Sequence, residues 1–141
     1  MAEKMGLKFN YERMIVNTLK SHCLLDYAKS VGKQNDLAEV LFNDYFRHAK
    51  RIDQSDVLKE AAEECGIDWS AANTHMNNPE IATRVKREAA TASAGGINGV
   101  PHFNIFLKGN QARSRQFSGA QPAATILSVF HKVLSFAKSR V

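Results

Sequence analysis

Two thiols and five imidazoles are the side chains in this chain best suited to nucleophilic, redox or metal chemistry. Cys23 and Cys65 stand 42 positions apart, so no local Cys-x-x-Cys pair exists. That spacing excludes a disulfide-dense scaffold and a Cys-rich zinc module. Both cysteines fall on apolar helical stripes, where a buried structural thiol is expected. Lys20 and His22 are the only basic residues close to Cys23 that could lower its pKa. The histidines, His22, His48, His75, His102 and His131, sit on different segments with no carboxylate or cysteine at ligand spacing, so no metal site is expected. No glycine-rich phosphate loop, nucleophile elbow or paired-carboxylate motif is present. Two short stretches remain: Gly99-Val100-Pro101-His102-Phe103 and, about 17 residues on, Ser118-Gly119-Ala120-Gln121-Pro122. On spacing alone, Val100-Pro101 reads as an ordinary trans junction opening a strand.

The elements that would position these stretches are mostly helical. Apolar residues at three- and four-residue spacing predict a helix over 17–31, with Cys23, Leu24, Tyr27, Ala28 and Val31 inward and Gly32 as the stop. A second helix is predicted over 34–49, with Leu37, Ala38, Leu41, Phe42, Tyr45, Phe46 and Ala49 inward. A third starts at Asp53 or Ser55, buries Val57, Leu58, Ala61, Ala62 and Cys65, and stops at Gly66. Asn78-Pro79 opens the next, with Ile81, Ala82, Val85, Ala89 and Ala92 inward and Gly95-Gly96 at its end. The character then changes. His102–Leu107 reads as a strand, Lys108-Gly109-Asn110 as a turn and Gln116-Phe117-Ser118 as the return. A last helix carries Ile126, Leu127, Phe130, Val133, Leu134 and Ala137 on one stripe. A lone hairpin is marginal in water, so further strands are expected from a fuller architecture or from another chain.

A length of 141 residues suits one domain with a sizeable core, and 44% hydrophobic content argues against disorder. No stretch is long and apolar enough to span a membrane, and Met1–Lys8 lacks the apolar core of a secretory signal, so a cytoplasmic location is expected. Charge is uneven. Residues 101–141 hold Lys108, Arg113, Arg115, Lys132, Lys138 and Arg140 and no acid. Six cations over this length do not make a dense patch, and neither a nucleic-acid nor a membrane partner is expected.

With Asn17-Thr18 and His22 upstream and Ala94-Gly95-Gly96-Ile97 just before Gly-Val-Pro, the two stretches resemble the DsbA-like thioredoxin-fold family. The closest branch is the FrnE type; 2-hydroxychromene-2-carboxylate isomerases and kappa-class glutathione transferases are cousins. The resemblance covers nearly the whole chain. It implies an α/β, mostly helical fold: a partial thioredoxin-like fold with a large helical insertion, then a β-hairpin and a C-terminal helix. As one DsbA-like domain over 1–141, it would comprise a helical subdomain, 17–96, and the C-terminal ββα half, 97–138. The family's first β-α-β portion, with a Cys-x-x-Cys motif at a helix N-terminus, is expected to precede Leu7 and to be missing.

The resemblance also implies site residues. Val100-Pro101 would be a cis bond. Val100, Pro101 and His102 would bind substrate, the residue before proline offering its backbone to an extended peptide or to glutathione. His102 would be either a half-buried sheet residue with one satisfied nitrogen or a proton-transfer group beside a thiol. Ala120 and Gln121 match the positions where glutathione-binding members hold a carboxylate at the last helix. Their usual Ser-Asp pair is absent, and Gln121 could instead hold the preceding turn. No catalytic residue is assigned and no cofactor is required. Expected partners are a peptide or protein thiol, glutathione, or a second copy at an unpaired sheet edge. Little or no redox turnover is expected of the chain alone, with a non-catalytic binding module or a glutathione-dependent isomerase or transferase as the alternatives.

Overall fold

The computed structural model describes residues 6–138. Met1–Met5, part of the stretch read for a leader, and Arg140 lie outside the described residues. The elements run α1 (Leu19–Ser30), α2 (Gln34–Phe46), α3 (Ser55–Glu64), α4 (Trp69–Met76), α5 (Pro79–Ala94), β1 (His102–Leu107), β2 (Asn110–Ser118) and α6 (Ala123–Lys138). They form two compact units, 1–89 and 90–141, whose boundary falls within α5. The fold is mostly helical, as expected, with one two-stranded antiparallel sheet among the described residues.

The first unit is built on a helical core. Cys23, Leu24 and Ala28 of α1 meet Leu37 and Leu41 of α2, Leu58, Ala61 and Ala62 of α3, and Ala72 and Met76 of α4. Ile52 and Ile67, from the connecting segments, complete it. Burial of this apolar surface is the main force holding the unit together. The stop at Gly66 shows how local chemistry sets the boundaries. Gly66 adopts a φ of 71°, which lets its N–H reach the Glu63 carbonyl and the Ile67 N–H reach Ala62. Two otherwise orphaned carbonyls are thereby satisfied as α3 ends.

Several expectations need correction. Helix α2 ends at Phe46 and not at Ala49, because His48 N–H turns back to the Asn43 carbonyl and Ala49 takes a positive φ of 54°. Val31 and Phe42, expected inward, are exposed. Helix α4 was missed. It has only two buried residues, Ala72 and Met76, and its clearest sequence signal is the N-cap Asp68, whose Oδ1 accepts the Ser70 N–H at 2.8 Å. On α5, Ile81, Ala82 and Val85 pack against the core, but Ala89 is exposed and no residue is fully buried. Strand β2 is nine residues long, where only 116–118 was expected. Its polar run of Gln, Arg and Ser hides the alternation by which strands are recognised.

In the second unit, β1 and β2 pair with His102 opposite Ser118, Phe103 opposite Phe117 and Ile105 opposite Arg115. The Phe103 and Phe117 rings stack at 4.8 Å. The Arg115 guanidinium lies 5.1 Å from the Phe136 ring of α6, so the face bearing residues 103, 105, 115 and 117 is the one that α6 covers. Val133 is the buried residue of α6. His102, Asn104, Gln116 and Ser118 occupy the other, polar face, as suits an antiparallel sheet with one wet side.

Candidate functional site

The two stretches singled out in the sequence meet at one end of the hairpin. Pairing of His102 with Ser118 brings them together, and two further contacts tie them. The Gly119 N–H donates to the Pro101 carbonyl at 2.8 Å, and His102 Nδ1 lies 2.8 Å from Ser118 Oγ. Gly119 takes a φ of 84°, in the left-handed region that residues bearing a Cβ rarely adopt. The Val100–Pro101 bond is cis, and the Val100 side chain is 91% exposed. His102 is half-buried with one ring nitrogen engaged.

Gln121 is drawn back toward the hairpin. Its Nε2 donates to the Ser118 carbonyl at 3.2 Å, spanning the turn that leads into α6. Ala120 is exposed, and α6 begins only at Ala123. Val100, Pro101, His102, Ala120 and Gln121 therefore lie close together at the head of β1 and the approach to α6. A backbone surface of this kind can align an extended chain. It holds no thiol; its one side-chain hydroxyl, Ser118 Oγ, lies against His102 Nδ1.

Both cysteines lie in the first unit. Burial pushes the Cys23 thiol above the ordinary range, aided by the Asp26 charge. Burial, aided by the Glu64 charge, does the same to Cys65, which caps α3. Raised thiols are poor attacking groups at neutral pH. Among the described residues, no group of three or more His, Cys, Asp or Glu is placed to hold a metal ion. No described helix is long and apolar enough to cross a membrane.

The profile of the DSBA-like thioredoxin domain matches residues 1–131. The chain belongs to that family. Its fold is similar to that of a probable DsbA oxidoreductase from Streptomyces coelicolor, with a TM-score of 0.80 and 24% identity. The likeness covers 95% of this chain and 56% of that protein, so the DSBA-like chain spans little more than half of its relative's length. No curated protein sequence matches it.

Two features of this DSBA-like chain were not read from the sequence. The first is an ionic cluster joining α1, α4 and α5. Asp26 accepts from Arg84 Nη1 and Nη2 at 2.9 and 2.6 Å and lies 2.7 Å from His75 Nε2. Hydrogen bonding from Arg84, helped by His75 and opposed by burial, holds the Asp26 carboxyl below the ordinary range. Its members are 49 and 58 positions from Asp26, and no sequence spacing links them. The second is a hollow of about 180 Å³ walled by Leu25 of α1 and by Ala38, Leu41, Phe42 and Tyr45 of α2, with Thr18 and His22 also lining it. The unexpected exposure of Phe42 belongs to this hollow. The Asn17-Thr18 pair works locally at the start of α1, where Asn17 Oδ1 accepts the Leu19 N–H.

Proposed function

We propose that this chain is a FrnE-type thiol–disulfide oxidoreductase relative that carries the substrate-holding half of the site and not the redox dithiol. Val100, Pro101 and His102 would hold an extended peptide or protein-thiol substrate through backbone hydrogen bonds, in the manner of strand addition. The observation that carries this reading is the convergence of Val100–His102 with Ser118–Gln121 at the open end of the hairpin, with Val100 almost fully exposed. Disulfide exchange requires a thiolate that attacks sulfur and forms a mixed disulfide. Cys23 and Cys65 lie on separate helical elements with raised pKa values, and neither suits that task. Little or no dithiol turnover is expected of the chain alone, in a cytoplasmic setting.

Insulin reduction by the purified chain tests the reading, with the Cys23→Ser/Cys65→Ser variant in parallel. Expected is a rate at background for both. Turnover lost on replacing either cysteine would overturn its structural assignment, and turnover surviving both replacements would overturn a thiol mechanism. Glutathione is a further candidate ligand, at Ala120 and Gln121. It should raise the melting temperature at millimolar concentration if it binds the folded chain.

A second reading is favoured by the sheet itself. A two-stranded sheet leaves strand edges that can pair with another chain, so the molecule would act as a non-catalytic binding module or associate with itself. Nucleic acid and membrane are no part of either reading.

A further inference from the structure

Asn98-Gly99 is the sole Asn-Gly pair in the chain; no other of the eight glycines follows an asparagine. The pair holds an electrophile, the Asn98 side-chain amide carbon, and a nucleophile, the Gly99 main-chain nitrogen, that can close into a cyclic imide. In other sequences the Cβ of the second residue crowds the attacking nitrogen, and glycine has none.

The loop between α5 and β1 leaves both groups free to meet. Helix α5 is fastened at its end by the Gly95, Gly96 and Ile97 N–H groups, which donate to the Thr91, Ser93 and Ala92 carbonyls. The next fixed point is Pro101, whose carbonyl accepts from Gly119. Between them, Asn98, Gly99 and Val100 make no backbone hydrogen bond among the described residues, and all three are exposed. No carbonyl therefore holds the Gly99 N–H away from its neighbour's side chain. Ser93 Oγ lies 3.5 Å from Asn98 Oδ1, at the outer limit of a hydrogen bond, and donates to the oxygen that gains charge as the amide is attacked. Both reacting groups belong to one dipeptide of the second unit, whatever packs beyond the loop.

We infer that Asn98-Gly99 is a site of spontaneous covalent modification, converting to aspartyl and isoaspartyl forms beside the Val100–Pro101 turn. The Gly99 nitrogen gives up its proton to solvent base and attacks Asn98 Cγ. The new C–N bond closes the imide as the Cγ–Nδ2 bond breaks, and ammonia leaves with a proton taken from solvent. Water then opens the ring. Attack at Cγ restores the ordinary backbone with a side-chain carboxylate. Attack at the Asn98 main-chain carbonyl carbon routes the chain through Cγ and leaves the carboxylate on the α-carbon. Nothing is oxidised or reduced.

Either product alters the turn. Residues 90–141 hold no Asp or Glu, so conversion gives this stretch an acid that it otherwise lacks. The isoaspartyl form also lengthens the main chain by a methylene two residues before Val100, and so displaces the Val100 backbone. Loss of substrate from that backbone rests on the reading of Val100–His102 as the substrate-holding turn; the conversion itself does not.

Ageing of the intact chain at mildly alkaline pH tests the site, read by mass spectrometry and by enzymatic methylation of isoaspartyl groups. Expected is conversion at Asn98 ahead of every other asparagine, and no slower than in a synthetic peptide of residues 94–102. Gly99→Ala should slow it at least about tenfold. The fold accommodates that variant, since Gly99 is not at positive φ and an added Cβ meets nothing within 4 Å. An Asn98 that stays intact while the peptide converts overturns the inference, as does conversion indifferent to Gly99→Ala. Cation exchange then separates converted from unconverted chain, and each is titrated with reduced, alkylated insulin B chain. Expected is binding at least about tenfold weaker for the isoaspartyl form. Equal binding by both forms overturns the effect on the turn. Binding by neither overturns the substrate-holding reading and with it the loss of substrate, while the ageing result decides the site on its own.

Discussion

The Gly119 N–H donates to the carbonyl of Pro101 at 2.8 Å, joining two stretches of sequence that the hairpin ladder and the His102–Ser118 side-chain contact also tie. The contact closes the open end of the sheet beside Val100 and His102. It also depends on a backbone conformation, φ 84° at Gly119, that a Cβ opposes.

Gly119→Ala should therefore destabilise the second unit by about 1–2 kcal/mol. The added Cβ would meet only Gln121 Nε2, at 3.6 Å, so the cost is backbone strain and not collision. Urea denaturation measures it. A variant as stable as the wild type would show that the turn does not need the left-handed backbone.

Asp26→Asn should cost the first unit about 1–2 kcal/mol at neutral pH, since the Arg84 and His75 contacts to a largely buried carboxylate are weakened together. The pH dependence has a definite sign. Asp26 titrates below the ordinary carboxyl value of about 3.9, so its contribution is complete above that pH and is lost as pH falls through the folded-state value. Asp53, held down to about 2 chiefly by Arg51, shares in the acid loss of the wild type. The difference between wild type and Asp26→Asn isolates Asp26, and it should shrink when urea midpoints are compared at neutral and strongly acid pH.

Thiol reactivity gives a third expectation. With both thiols pushed up by burial, alkylation by iodoacetamide at neutral pH should be slower than that of a free cysteine. Cys23, fully buried, should react only on unfolding, ahead of which half-buried Cys65 reacts slowly. Mass spectrometry of the labelled chain reads both sites. A rate at Cys23 above that of the free amino acid would contradict its place in the core.

The two rows of α6 should respond differently in the monomer. Val133→Ala removes methyl groups from a side chain 3% exposed and should cost about 1–2 kcal/mol. Leu127→Ala, on the exposed row, should change monomer stability by less than about 0.5 kcal/mol. Denaturation at high dilution separates this from any effect on association.

Much of the helical order was legible because each helix carries its own signals. Gly66 ends α3, Asn78-Pro79 opens α5, and the Leu37–Leu41 and Leu58–Ala62 spacings mark inner faces. Helix α4 escaped because eight residues give periodicity too little length, and β2 because Ala112 is the one apolar residue between Asn110 and Gln116. Phe42 and Leu127 were assigned to apolar stripes that exist, yet both are exposed.

What the sequence determined by itself was the order of elements apart from α4, the family, and the cysteine spacing, all of which depend on residue type and separation along the chain. Tertiary structure alone decided that Asp26, His75 and Arg84 meet and that Gly119 reaches Pro101. The physical reason is the same in each case. A stripe of apolar or charged residues records which way a side chain faces on its own element, but what it meets depends on how far the neighbouring element extends across it.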